Sequence, residues 1–466
     1  MLPTRIFVSL VVAGLLAWLP VHAAPPAEPY GQAREIYSTI VGFQTSVGLG
    51  QVPKMAEYLA GQFRAAGFAA MDVNVLPLGE TASLVVRYRG NGTGGKPILL
   101  NAHMDVVTAN RSDWERDPFT LIEQNGYFFG RGAWDDKIDV ATLTTTFLRL
   151  KAEGFVPNRD LIIAFTGDEE TDRATMLDLV KNHRELIDAE YCLSGDIGQG
   201  VLDEVTGKPR YYQVSGAEKA TVHFELSARN AGGHSAKPRL DNAIYELADA
   251  LKAVQAYRFP VRWNDWTLQG FKAQGALTGG ERGDAMARFA RNPRDQLAAR
   301  KLSGDPEYIG QVRTTCVATR ISGGHADNAL PQLATAIVNC RVFPGTSVQQ
   351  VRDTLKRLVG ERVSVTPINA PIIAPPSPLR ADLMSAIAQA VHATHPGVPL
   401  VPHMEVGAGD GAVLRASGIP TYGVQGIFVK LSEDYTHGLN ERVPVDALGY
   451  GLTHWYVLLK ELSTPH

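Results

Sequence analysis

Pro97–Asp105 reads PILLNAHMD, and Leu161–Glu170 reads LIIAFTGDEE. In both, a short apolar run rich in branched residues ends abruptly, and acids or a histidine follow at once. Such a run, bounded by turn signals, is the pattern of a strand buried on both faces, as in a parallel sheet. Ala189–Ser194 (AEYCLS) and Ile419–Val424 (IPTYGV) read as two more strands of this kind. Between the first two lies a helical stretch, Asp139–Lys151, closed by Gly154, and Val52–Ala66 forms another that ends before Gly67. Strands alternating with helices predict an α/β domain, a three-layer sandwich around a largely parallel sheet.

The pattern changes near Ser215. Ala220–Ser227 (ATVHFELS) alternates as a half-exposed strand does. Asn242–Gln255 and Val348–Val359 read as helices; Thr314–Ile321, Ala334–Val342 and Arg362–Pro367 read as strands. Alternating strands beside helices predict a small α+β sheet covered on one face. Within it, Trp263–Gly310 reads as a charged, helix-prone insertion. After PIIAPP (Pro371–Pro376) the α/β character resumes. Residues 24–214 and 374–466 are therefore expected to form one domain, and 215–373 a second inserted into it.

At 45% hydrophobic and 20% charged residues, the 466-residue chain has ordinary globular composition. A net charge of −3 without a basic run gives no electrostatic footprint for nucleic acid. Residues 1–23 read as a secretory signal: Arg5, an apolar run from Ile6 to Leu19, and Val21-His22-Ala23 before two prolines. That run is short for a bilayer span of about 20 residues. The chain is thus expected to be secreted or periplasmic, with no stable membrane anchor. Of the three cysteines, Cys192 and Cys340 sit in apolar strand-like runs and read as buried thiols.

Chemistry collects where the strands stop. His103 and Asp105 follow the first strand, Asp168, Glu169 and Glu170 the second, and Asp196 the third; His437 lies in a loop after the last. In an open parallel sheet this is the edge where ligands bind. His-x-Asp suits a metal-bound imidazole whose second ring nitrogen is held by the carboxylate. Three adjacent acids repel one another unless a cation or solvent separates them. Gly130–Lys137 (GRGAWDDK) adds two acids at a helix start, where Asp135 or Asp136 serves either as a helix cap or as a carboxylate bridging two cations.

Taken in order, His-x-Asp, Gly-Arg-Gly-x-x-Asp-Asp-Lys and Asp-Glu-Glu resemble the dizinc aminoacylase/carboxypeptidase family, which includes carboxypeptidase G and succinyl-diaminopimelate desuccinylase. Arg313-Thr314-Thr315, Ile321–Gly324, Asn328–Pro331 and Asn339-Cys340-Arg341 resemble its carboxypeptidase S-like branch. The resemblance implies two Zn2+ ions, with cobalt, manganese or nickel able to use the same donors. His103, Asp135 and Asp196 match one metal site; Asp135, Glu170 and His437 match the other, with Asp135 bridging. Glu169 matches the general base and Asp105 the partner of His103. His234 matches a transition-state donor, and Asn328 and Arg341 match holders of the substrate carboxylate. The Asp135–Asp136 peptide bond is expected to be cis. The inserted domain is expected to act as a lid and to mediate a homodimer.

The implied activity is hydrolysis of an amide bond next to a free carboxylate, as a carboxypeptidase or dipeptidase; the alternative is an N-acyl-amino-acid amidohydrolase. Loss of a ligand or of Glu169 would have pointed instead to a silent binding homologue. Departures from the pattern are Asp196 where glutamate is common, Gly407–Gly411 (GAGDG) in place of a Gly-Gly-Thr-Asp-type loop, and Thr171-Asp172-Arg173 where a glycine often follows the acids.

Overall fold

The computed structural model describes residues 27–464; the stretch read as a signal lies outside the described residues. The strands Leu161–Thr166, Ile98–His103, Tyr191–Ser194 and Thr421–Gly423 stand side by side and parallel at the centre of a ten-stranded sheet. An antiparallel hairpin, Val73–Leu78 with Thr81–Tyr88, extends one side. On the other side Pro209–Glu218 pairs with Leu400–Glu405.

Alternation along these strands builds three layers. Ile98 and Leu100 face one core, with Leu161 and Ile163; it is closed by helices Ala27–Val41, Val52–Ala65, Lys137–Ala152, Ala381–His392 and Asp446–Ser463. Leu99 and Ile162 face the opposite core, closed by Ala174–Asn182 and Asp410–Ala416. Successive side chains of a strand point to opposite faces, so an unbroken apolar run is what a sheet covered on both sides requires.

A second, antiparallel sheet contains Thr315–Gly323, Leu333–Val342, Ala220–Arg229 and Val363–Pro367 in that order. Every other residue of Ala220–Arg229 is buried, against helices Ala243–Ala256 and Val348–Val359. Their N-termini are capped by the side chains of Asn242 and Ser347, which satisfies amides a helix cannot pair internally.

Two expectations are corrected. The helix-prone insertion lies inside the small domain in sequence but not in space. Its helix Asp265–Thr278 seats Trp266 in the core of the large sheet, where the indole N–H donates to the Ser377 carbonyl at 2.7 Å. Burying that ring outweighs sequence proximity. Cys340 is not a free thiol: it stands directly opposite Cys316 across the antiparallel pair, and the two form a disulfide. Cys192 is free and buried.

Candidate metal centre and cleft

The carboxyl edge of the parallel strands opens into a cleft of about 860 Å³. His103 ends its strand with the ring buried. Its Nδ1 lies 3.0 Å from the Asp105 carbonyl oxygen, which leaves Nε2 directed at Asp135 Oδ1, 2.9 Å away, and at Asp196 Oδ1, 3.5 Å away. Asp135 Oδ2 lies 3.1 Å from His437 Nε2, and that nitrogen lies 2.9 Å from Glu170 Oε1. The two oxygens of Asp135 are thus divided between two imidazoles, as a bridging carboxylate requires.

Asp105 lies against His103 and also has a second role. Its backbone carbonyl, not its carboxylate, takes the closer contact with His103; the carboxylate stands at 3.5 Å. Oδ1 and Oδ2 also accept the amides of Glu169 and Glu170, both at 3.1 Å. Asp105 therefore fixes the loop that carries both glutamates. Asp168 accepts the amides of Ala174 and Thr175 and so caps the following helix.

The Gly130–Asp136 turn is held from behind by Glu441. Its carboxylate accepts the amides of Trp134 at 2.8 Å and of Gly132 and Asp135 at 3.1 Å, and pairs with Arg131 at 2.6 Å. Gly132 has φ +78, and a Cβ there would meet Val106 at 2.6 Å, so only glycine suits the position. The Asp135–Asp136 bond is cis, as the resemblance implied. Asp136 Oδ2 accepts the His103 amide at 3.1 Å.

Ligand atoms of His103, Asp136 and Asp196 lie within 4.8 Å of one another, as do those of His103, Asp135 and Glu170. Among the described residues, Asp136 Oδ1 is buried and accepts no hydrogen bond. Burial first, then Asp196, pushes Glu169 well above the usual carboxylate range. Burial and then Asp139 push Asp136 well above it too. Contacts with Asp135 and Glu170 raise His437 to about 10. A buried unpaired oxygen and mutually repelling acids around two imidazoles are what divalent cations resolve, and the His/carboxylate donor set suits zinc. The residues present fit a two-metal group.

Glu169 stands beside this cluster and, with Asp196, lines the cleft; Arg341 faces them from the small sheet, its Nη1 donating to Thr221 Oγ1 at 2.7 Å. His223, on the strand Ala220–Arg229, also lines the cleft. His234 and Asn328 are not brought there. Both are exposed on a two-stranded ribbon, Gly233–His234 with Ala329–Leu330, where the Ser235 amide donates to the Asn328 carbonyl. Neither is among the residues lining the cleft of its own chain.

The chain is 27% identical over 395 residues to the N-fatty-acyl-amino acid synthase/hydrolase PM20D1 of Homo sapiens, covering 83% of this chain and 78% of that protein. It is 30% identical over 305 residues to a probable carboxypeptidase S-like protein 2 of Dictyostelium discoideum, covering 62% of this chain and 56% of that protein. In fold it resembles the M20 family metallo-carboxypeptidase Sso-CP2 from Sulfolobus solfataricus, with a TM-score of 0.66 at 17% identity over 92% of this chain and 99% of that one. Human carnosine dipeptidase 1 gives a TM-score of 0.64 at 14% identity over 93% of this chain and 97% of that one. With the model of the family matching residues 99–461, the chain belongs to peptidase family M20/M25/M40.

Proposed function

We propose that this protein is a two-zinc exopeptidase that cleaves the amide bond next to a substrate's free carboxylate. The observation that carries the proposal is the division of Asp135 between His103 and His437, with Glu169 beside it and Arg341 across the cleft. Bound ions of this kind supply Lewis-acid polarisation of a carbonyl and an acidified water. The protein's own groups do the rest. Glu169 takes the proton of the attacking water and delivers it to the leaving nitrogen. Arg341 offers a planar fork to the substrate carboxylate. Asp105 and Glu441 hold the backbone on which Glu169, Glu170 and Asp135 ride.

A second reading, N-acyl-amino-acid hydrolysis, is favoured by the human relative's name and by the apolar residues Trp134, Leu177, Ile197, Pro371 and Ile372 among those lining the cleft. A panel of dipeptides and N-acyl amino acids, assayed on zinc-loaded protein, separates the two. Faster release from dipeptides supports the peptidase; turnover confined to acyl substrates replaces it with the second reading.

Export is supported by the N-terminal reading and by the Cys316–Cys340 disulfide, since such bonds persist in oxidising compartments. A homodimer is supported by the exposed His234–Asn328 ribbon and by the exposed edge strand Thr315–Gly323, with Val317 60% and Ile321 68% exposed. In a dimer, His234 and Asn328 would complete the neighbour's cleft. Sedimentation of the protein, with or without Ile321→Asp, tests this: a dimer that the substitution splits is expected, and a monomer in both cases removes it.

A further inference from the structure

We infer that Arg173 is a positioning residue: it fixes the Glu169 carboxylate and, through the same guanidinium, holds the Gly407–Gly409 loop against the metal cluster. The inference rests on the hydrolase reading above. Arg173 occupies the position just before helix Ala174–Asn182, with φ +54, a conformation that side chains other than glycine, asparagine or aspartate adopt rarely. The Asp168 carboxylate, locked on the amides of residues 174 and 175, keeps that turn in place. The turn sends the Arg173 side chain back over the acids that precede it.

There it makes two contacts. Its Nε donates to Glu169 Oε1 at 3.1 Å, and its Nη2 donates to the Ala408 carbonyl at 2.8 Å. The next residue, Gly409, donates its amide to Glu218 Oε2 at 2.8 Å, and Glu218 is held in a buried ion pair with Arg415 at 2.7 Å. The loop is therefore clamped on both sides of the 408–409 peptide. What it is clamped onto is the site itself: a Cβ on Gly409 would lie 3.3 Å from both Asp196 Oδ2 and Glu169 Oε1. One guanidinium thus sets the base and the backbone that packs against both the base and a metal carboxylate. A lysine, whose donors all sit on one nitrogen, does not reproduce a fork that serves Glu169 and Ala408 from separate nitrogens.

The test uses full-length zinc-loaded Arg173→Ala and Arg173→Lys, with wild type and Glu169→Gln alongside. Arg173→Ala is expected to retain two zincs and to lose about a hundredfold in kcat with KM within threefold, since a misplaced group at a reacting centre costs about that much. Added guanidinium ion should restore part of the loss in Arg173→Ala and none in Glu169→Gln. Arg173→Lys should fall between wild type and Arg173→Ala. Amide hydrogen exchange at residues 408–411 should quicken in Arg173→Ala, a readout that does not depend on turnover. A raised KM with kcat unchanged would make Arg173 a substrate anchor and overturn the inference. So would kcat and exchange both equal to wild type. If wild type itself hydrolyses no amide, the hydrolase reading fails, and unaltered exchange in Arg173→Ala would then overturn the clamp as well.

Discussion

Glu441→Ala tests whether the turn that carries Asp135 is held from behind. Glu441 and Arg131 pair at 2.6 Å with side chains 1% and 3% exposed. Removing one partner of a buried pair costs about 3–5 kcal/mol, because the other charge stays buried without it. Arg131 keeps a hydrogen bond to the Gly438 carbonyl at 3.0 Å and lies over the Trp114 ring, which places this part near about 3 kcal/mol. Three amides also lose their acceptor, and an unmet buried donor costs roughly 1–3 kcal/mol. Water entering the vacated space serves some of them, so the whole loss is expected near 4 kcal/mol, a large share of the roughly 5–15 kcal/mol of a folded protein. Glu441→Gln keeps an acceptor for the Trp134 and Asp135 amides and should lose about half as much. Urea unfolding of the metal-free variants measures the loss, and zinc retained after dialysis reports whether Asp135 is still in place. A loss below about 1 kcal/mol with full zinc content would refute the reasoning and make the turn self-supporting.

Other consequences concern pH, the disulfide and the cleft. Burial lowers the His454 imidazole to about 4, against an ordinary value near 6.5. Between those values the unfolded chain binds the proton and the folded one does not, so stability falls as pH drops, by about 2 kcal/mol from pH 7 to 5. His454→Phe should remove that part of the slope in urea unfolding at the two pH values, and an unchanged slope contradicts it. Reduction of Cys316–Cys340, separated by 24 residues in sequence, should cost about 3.5 kcal/mol on loop-closure entropy. A Cys316→Ala/Cys340→Ala double variant should show no effect of dithiothreitol, and equal sensitivity would argue against the pairing. Arg341→Ala should raise KM for substrates with a free carboxylate roughly 10- to 100-fold, the worth of one charge-assisted contact, while changing kcat little. An unchanged KM would place the carboxylate elsewhere.

The parts legible in the sequence were those in which chemistry sits next to local structure. His103, Glu169, Glu170 and Asp196 follow buried strands directly, so the strand pattern alone delivers them to one edge. What stayed hidden depended on contacts between distant segments. Glu441 acts on amides some 300 residues earlier in the chain, and Asp105 uses its carboxylate on a neighbouring loop, neither of which leaves a local trace. The Cys316–Cys340 pairing follows from strand register, which two apolar runs do not specify. Trp266 reads as part of a charged insertion, and only the shape of the large sheet shows that it is core. For Arg173 the sole signal was that Thr171-Asp172-Arg173 stands where a glycine often follows the acids.

The central claim is a paired-metal site worked by Glu169. It is tested most directly by titrating chelated protein with zinc while following both bound metal and amine release, in wild type and Glu169→Gln. The account predicts that wild-type turnover saturates at two zincs per chain, while Glu169→Gln binds the same two and is nearly silent. Full turnover with one zinc, or wild-type turnover in Glu169→Gln, would contradict it.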